Sequence, residues 1–274
     1  MDRLRRVRGF VLDMDGTLVL GDRENRGLTP LPGALELLSL LTERGLPFRI
    51  YTNGTVKTPA QCADALQQAG LPVPSDAVLT PATSAADVFR RRGFRRVMVL
   101  GGKGITEPLE AAGIEALPPL RGAPCDAVMA GWFRQELTFE ALEAAVEAVS
   151  AGAAYFSASQ SPYFATAEGR TLGSSRAISA VVRDLTRCRV TVVGKPSMQA
   201  LRSVARSLGL PPADLAVVGD DPELEVPMAH KGSALAVAVH TGIGHAQSFT
   251  DLPAEVRPHL DLPDLGALAE LLRG

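Results

Sequence analysis

Gly9-Phe10-Val11-Leu12-Asp13-Met14-Asp15-Gly16-Thr17-Leu18 runs from an apolar segment onto two carboxylates, a glycine and a hydroxyl. The apolar part reads as a strand buried on both faces, the kind found in a parallel α/β sheet. Two carboxylates two residues apart repel each other unless a cation or a shared proton relieves them. Asp13 and Asp15 therefore point to a divalent metal, or to one carboxyl held protonated, at the carboxyl end of a strand. Gly16 lets the backbone turn there, and the Thr17 hydroxyl is placed to bond locally and fix the loop.

The rest of the chain repeats that pattern of strand, polar turn and helix. Phe48 to Tyr51 ends on Thr52-Asn53-Gly54-Thr55, with a helix starting near Thr58-Pro59. Val190 to Val193 ends on Gly194-Lys195-Pro196, Leu215 to Val218 on Gly219-Asp220-Asp221, and Ala234 to Val239 on His240-Thr241-Gly242. In an open parallel sheet, ligands bind at the carboxyl ends of the strands, so residues far apart in sequence meet along one edge. Val19 to Pro30, rich in Gly, Asp, Arg and Asn, reads as an irregular flap beside that edge. A second group of strands and helices, with strands at 97–100, 126–130 and 154–157, reads as a separate lobe. Inside it, Gly101-Gly102-Lys103-Gly104 lacks the spacing of a phosphate-cradling loop and is read as a strand-to-helix turn. Trp132 reads equally as a core anchor or a substrate-facing ring.

The chain has 274 residues, 46% hydrophobic and 21% charged, enough for a sizeable core. A formal charge of −2 and the absence of basic runs interleaved with aromatics argue against a nucleic-acid partner. The run after the basic Met1 to Arg8 is cut by Asp13 and Asp15, so neither a secretion signal nor a membrane span is expected. Cys62, Cys125 and Cys188 are scattered, which suits a reducing cytoplasm and leaves any metal to oxygen ligands.

Asp13, Asp15 and Asp220 are hard oxygen donors suited to Mg²⁺. Thr52 and the backbone N–H groups near Asn53 and Gly54 are placed to donate to phosphoryl oxygens, and Lys195 adds a compact positive charge. Together these residues describe a phosphate site with a metal.

The order Asp-x-Asp, Thr, Lys, Gly-Asp-Asp resembles the four-motif signature of the haloacid dehalogenase superfamily over essentially the whole chain. The Tyr-Thr-Asn-Gly and Gly-Lys-Pro segments and the long insert resemble its NagD-type, 4-nitrophenylphosphatase-like branch. The resemblance implies a Rossmann-like parallel-sheet core from residues 1–81 and 179–274, with an α/β cap at 82–178 that selects substrate. It implies that Asp13 is the nucleophile forming an aspartyl-phosphate and that Asp15 is the general acid and then base. Thr52, Asn53, Gly54 and Lys195 would bind phosphate, and Asp13, the main-chain carbonyl of Asp15, and Asp220 would hold Mg²⁺. The expected function is hydrolysis of a small phosphorylated metabolite in the cytoplasm, with a homodimer by analogy. The alternatives are a phosphotransferase or phosphomutase, or a non-catalytic regulatory protein on the same scaffold.

Three segments depart from the family pattern. Glu225 stands where a second Asp is usual, and it or Asp221 is expected to support the metal from behind. Ser157-Ala158-Ser159-Gln160 and Gly173-Ser174-Ser175-Arg176 differ within the insert, and Phe133 stands where an Asp is common. In the cap, Trp132, Phe133, Ser159, Gln160 and Arg176 are expected to reach toward the substrate.

Overall fold

A computed structural model describes residues 3–22, 27–166, 169–244 and 246–274. The first part of the chain forms β1 (Gly9–Leu12), β2 (Val19–Leu20), β3 (Thr29–Pro30), α1 (Ala34–Glu43), β4 (Phe48–Tyr51), α2 (Pro59–Gln68) and β5 (Val78–Leu79). Then come α3 (Pro81–Arg92), β6 (Arg96–Leu100), α4 (Lys103–Ala111), β7 (Glu115–Leu117), β8 (Ala127–Ala130), α5 (Phe139–Ser150) and β9 (Ala154–Ser157). A hairpin of β10 (Tyr163–Thr166) and β11 (Gly169–Leu172) precedes α6 (Ser174–Thr186) and β12 (Val190–Val192). The chain closes with α7 (Met198–Leu208), β13 (Leu215–Gly219), α8 (Glu225–Lys231), β14 (Leu235–Val239), α9 (Ala246–Thr250), β15 (Leu260–Leu262) and α10 (Leu265–Arg273).

Among the described residues the longer strands form two parallel sheets, ordered β15-β14-β13-β1-β4-β5 and β12-β9-β8-β6-β7. β1 lies inside the first sheet, with Gly9 to Leu12 paired to Leu215 to Val218 on one side and Phe10 to Leu12 paired to Phe48 to Ile50 on the other. All four of its residues are buried, as the unbroken apolar run requires. Leu37, Leu38 and Leu41 of α1 and Leu265 and Leu268 of α10 bury against one face of this sheet. Leu201 and Val204 of α7 and Met228 of α8 cover the other.

The second sheet has its own covering layers. Phe89 of α3 packs edge-on to Phe156 of β9, with ring centroids 4.7 Å apart. On the opposite face, Ala144 and Ala145 of α5 and Ile178 and Val182 of α6 pack on Val128 and Tyr155.

Two expectations are corrected here. The return to the core expected at 179 falls inside α6, and β12, read as a core strand, pairs in parallel with β9 of the second sheet. A strand of only Val190, Thr191 and Val192 carries no mark of which neighbour it will pair with, and the preceding helix keeps the chain on the second layer. The flap expected to be irregular over Val19 to Pro30 is instead framed by an antiparallel pairing of Val19 with Pro30 and Leu20 with Thr29; its centre, 23–26, lies outside the described residues.

Candidate active site

The carboxyl end of β1 delivers Asp13, whose own N–H bonds to the carbonyl of Val218 at 2.9 Å. Its side chain is buried and ion-paired through Oδ1 to the Nζ of Lys195. Lys195 arrives from the second sheet, beyond β12, so the meeting of these residues is made between two sheets rather than along one edge. Tyr51, at the end of β4, ties down the crossing segment by donating from its hydroxyl to the carbonyl of Val193 at 3.2 Å. Asn53 grips Lys195 itself. Its Oδ1 accepts the backbone N–H of Lys195 at 2.8 Å, and its Nδ2 donates to the Lys195 carbonyl at 3.1 Å. The side chain expected to serve phosphate directly is thus occupied in holding the lysine.

Thr17 lies between two acids. Its hydroxyl is 3.1 Å from Asp220 Oδ1 and 3.4 Å from Asp13 Oδ2. One hydroxyl has one proton, so the shorter contact is the bond and Asp13 is the looser neighbour. Asp220 also accepts the backbone N–H of Ile243 through Oδ2 at 2.8 Å. Gly16 makes this crowding possible. Its φ is +87°, and a Cβ there would stand 2.5 Å from Asp220 Oδ2.

The other polar groups complete the ring. The Thr52 hydroxyl donates to Asp15 Oδ2 at 3.1 Å and accepts the N–H of Gly54 at 3.0 Å. Asp15 is exposed where Asp13 is buried, which suits one carboxylate to attack and the other to exchange protons with water. Glu225, buried, stands 2.6 Å from Lys195 Nζ through Oε1, and its Oε2 accepts the N–H of Asp221 at 3.1 Å. It therefore supports the lysine, and the extra methylene over Asp gives it that reach.

The charges do not balance. Burial and then the charge of Asp13 hold the Asp220 carboxyl above the usual carboxylate range. Burial does the same to Glu225, with Lys195 opposing it and Asp13, Asp220 and Asp221 adding to it. Burial also raises Asp221. Burial works against the charge of Lys195, but Asp13 and Glu225 outweigh it and keep the ammonium protonated. Several buried acids thus face one buried cation. Hard carboxylate oxygens with surplus negative charge fit a divalent cation such as Mg²⁺. Among the described residues no three His, Cys, Asp or Glu side chains gather as a ready-made metal cluster, so a metal held here needs main-chain or phosphate oxygens as well.

Asp13, Asp15, Thr52, Asn53, Gly54, Lys195 and Asp220 all line one cavity of about 190 Å³. The second layer roofs it with Trp132, Ala158, Ser161, Tyr163, Thr171, Ser174 and Ser175. Of the five cap residues expected to reach the substrate, Trp132 alone is among those lining the cavity. Phe133 is buried in the core of the second layer and is not among the lining residues. The Gln160 amide turns back to Ser157 at 2.9 Å and Ser179 at 3.0 Å, Ser159 bonds Ser161 at 3.2 Å, and Arg176 donates to the Gln160 carbonyl at 2.8 Å. Ser159 is buried and Gln160 half-buried, so their polar groups find partners within this cluster, while Arg176 is exposed. Tyr163 and Thr171, which do line the cavity, lie on the β10–β11 hairpin that the sequence pattern did not reveal. His240 pairs with Asp261 at 2.5 Å and is not among the lining residues.

A family model described as haloacid dehalogenase-like hydrolase matches residues 10–115, and one described as HAD-hydrolase-like matches 192–268. The chain is 25% identical over 249 residues to the 5'-nucleotidase YutF of Bacillus subtilis strain 168, covering 90% of this chain and 93% of that one. It is 26% identical over 270 residues to the acid sugar phosphatase of Staphylococcus aureus strain USA300, covering 98% and 99%. The crystal structure of a 4-nitrophenylphosphatase from Thermotoga maritima superposes with a TM-score of 0.87 at 27% identity, over 98% of each chain. NagD from E. coli K-12, at 22% identity and a TM-score of 0.83 over 95% of this chain and 97% of that one, shares the fold.

Proposed function

The chain belongs to the haloacid dehalogenase superfamily, and from that premise we propose that it is a Mg²⁺-dependent phosphatase that hydrolyses a small phosphorylated metabolite through an aspartyl-phosphate on Asp13. The observation that carries the reading is the pairing of a buried Asp13 with Lys195 at the floor of a cavity, with the exposed Asp15 beside Thr52 at its wall.

An Asp13 oxygen attacks phosphorus, and the bond from phosphorus to the leaving oxygen breaks as Asp15 supplies the proton that oxygen needs. Asp15, now ionised, takes a proton from the water that attacks the aspartyl-phosphate, and inorganic phosphate leaves with Asp13 restored. Lys195 holds the phosphoryl oxygens, and Thr52 and the N–H of Gly54 reach them by giving up their bonds to Asp15 and to the Thr52 hydroxyl. Asn53 keeps Lys195 in place rather than touching phosphate. A Mg²⁺ ion would be held by Asp13, the main-chain carbonyl of Asp15, and Asp220; when bound it neutralises charge on the phosphoryl group.

The second layer serves as a cap from residue 82, extended by β12 beyond the expected limit of 178. Trp132 and Tyr163 give an aromatic surface to the leaving group, and the hydroxyls of Ser161, Ser174 and Ser175 give it hydrogen-bonding partners. The relatives are named for nucleotides, sugar phosphates and an aryl phosphate. A panel of such phosphomonoesters assayed with Mg²⁺ tests the reading. Release of phosphate that stops in Asp13→Asn and with excess chelator is expected; phosphate release that persists in folded Asp13→Asn overturns it.

A further inference from the structure

Thr55 lies three residues beyond Thr52, at the other end of the phosphate loop, and it is buried. Its Oγ1 accepts the backbone N–H of Trp132 at 2.9 Å, which joins the loop after β4 to the chain leaving β8 in the second layer. The second layer closes on Thr55 without room to spare. A Cβ at Gly131 would stand 2.9 Å from that hydroxyl oxygen, and one at Gly104, in the first turn of α4, would run into the Thr55 carbonyl. The indole of Trp132 lines the cavity that holds Asp13, Asp15 and Thr52, with the Arg134 guanidinium 5.5 Å over its ring. A short run of bonds therefore leads from the reacting end to the roof, from Asp15 to Thr52, from Thr52 to Gly54 and from Thr55 to Trp132.

We propose that Thr55 is a positioning residue for substrate choice. It locks Trp132 to the phosphate loop, so that contact with the leaving group and capture of the phosphoryl group occur in a single arrangement. The proposal rests on the phosphatase reading and deepens it. Losing the acceptor of this part-buried N–H loosens the roof without removing any group that touches phosphorus. The penalty then falls on substrates whose leaving group reaches the indole.

Trp132 is the only tryptophan in the chain, so its emission reports on this position alone. The experiment titrates the Mg²⁺-loaded full chain with inorganic phosphate while following tryptophan emission, and measures kcat and KM for an aryl phosphate and a small alkyl phosphate. The wild type is expected to change emission saturably, and Thr55→Ser, which keeps the acceptor, to do the same. Thr55→Val is expected to bind phosphate, read by product inhibition, with the emission change lost. Its kcat/KM for the aryl phosphate should fall about tenfold, mainly in KM, and less for the alkyl phosphate. An unchanged emission response in Thr55→Val, or equal loss on both substrates, overturns the proposal. If Thr55→Val does not fold, the wild type and Thr55→Ser still decide, because a wild type that turns over phosphomonoesters without any emission change on phosphate saturation refutes the coupling. A wild type that hydrolyses no phosphomonoester refutes the phosphatase reading, and this proposal with it.

Discussion

The side-chain amide of Asn53 bonds to both backbone groups of Lys195, accepting its N–H at 2.8 Å and donating to its carbonyl at 3.1 Å, across 142 residues of sequence. The two sheets are thereby stitched together at the point where the lysine meets Asp13. Misplacing a charged group by a fraction of an ångström is costly when the reaction depends on its position.

Asn53→Ala is accordingly expected to lower kcat about tenfold to a hundredfold, with a smaller effect on KM. Steady-state kinetics on a folded variant, its structure checked by circular dichroism, measures this. A variant with normal kcat and raised KM would mean that Asn53 binds phosphate directly.

Gly16→Ala places a Cβ against Asp220 in a backbone conformation with φ at +87°. About 1–3 kcal/mol of destabilisation is expected from the strain. Because the methyl pushes on Asp220, affinity for Mg²⁺ should fall as well. Thermal melts with and without Mg²⁺ check both, and a variant that melts like wild type in each condition would contradict the close packing of Gly16 on Asp220.

Asp220 and Glu225 titrate above the usual carboxylate range because burial and neighbouring acids disfavour their charged forms. A raised folded pKa for an acid favours the folded state when protonated. The sign follows from proton binding, since the metal-free fold holds protons that the unfolded chain has released. Stability of the metal-free protein is therefore present below the unfolded carboxylate pKa and is lost as pH rises through the folded values. Mg²⁺ replaces those protons. The gain in melting temperature on adding Mg²⁺ should be larger at pH 8 than at pH 5.5; a gain independent of pH would count against it.

Phe133 is buried in the core of the second layer, among Ala130, Ile178 and Val182. Phe133→Ala should cost about 3–5 kcal/mol of stability. The order of preference among substrates should stay as in the wild type, because the ring is not among the residues lining the cavity. Denaturant melts and a short substrate panel measure this, and a changed order with unchanged stability would place the ring in the binding cavity.

Much of the site was legible because chemistry and topology agree on it. An apolar strand that breaks on Asp13, and turns that carry Thr52, Lys195 and Asp220, are local patterns, and a parallel sheet puts strand ends together. What was not legible depends on pairings made at a distance. The three residues of β12 look the same whether they join β9 or the first sheet, so the strand that leads to Lys195 pairs in the sheet opposite to the one expected, while Lys195 itself meets Asp13 as expected. Ser159, Gln160 and Arg176 have the composition of a binding loop, yet Ser159 bonds Ser161, Gln160 bonds Ser157 and Arg176 bonds the Gln160 carbonyl, and none of the three lines the cavity. The alternation in β10 and β11 is too weak to announce a hairpin, so Tyr163 carries no signal in the sequence, whereas Trp132, which lines the same cavity, does. Thr55 carried no signal beyond a turn, because its role comes from a bond to a residue 77 positions away.

The most direct measurement is chemical trapping of the intermediate. The Mg²⁺-loaded enzyme, mixed with a good phosphomonoester and quenched in acid within the first turnover, is reduced with borohydride, which converts an acyl phosphate to an alcohol. Peptide mass spectrometry then locates the change. Conversion of Asp13 to homoserine, absent without substrate and absent in Asp13→Asn, is the expected result. Turnover accompanied by phosphorylation at another side chain, or a fully active Asp13→Asn enzyme, would contradict Asp13 as the nucleophile.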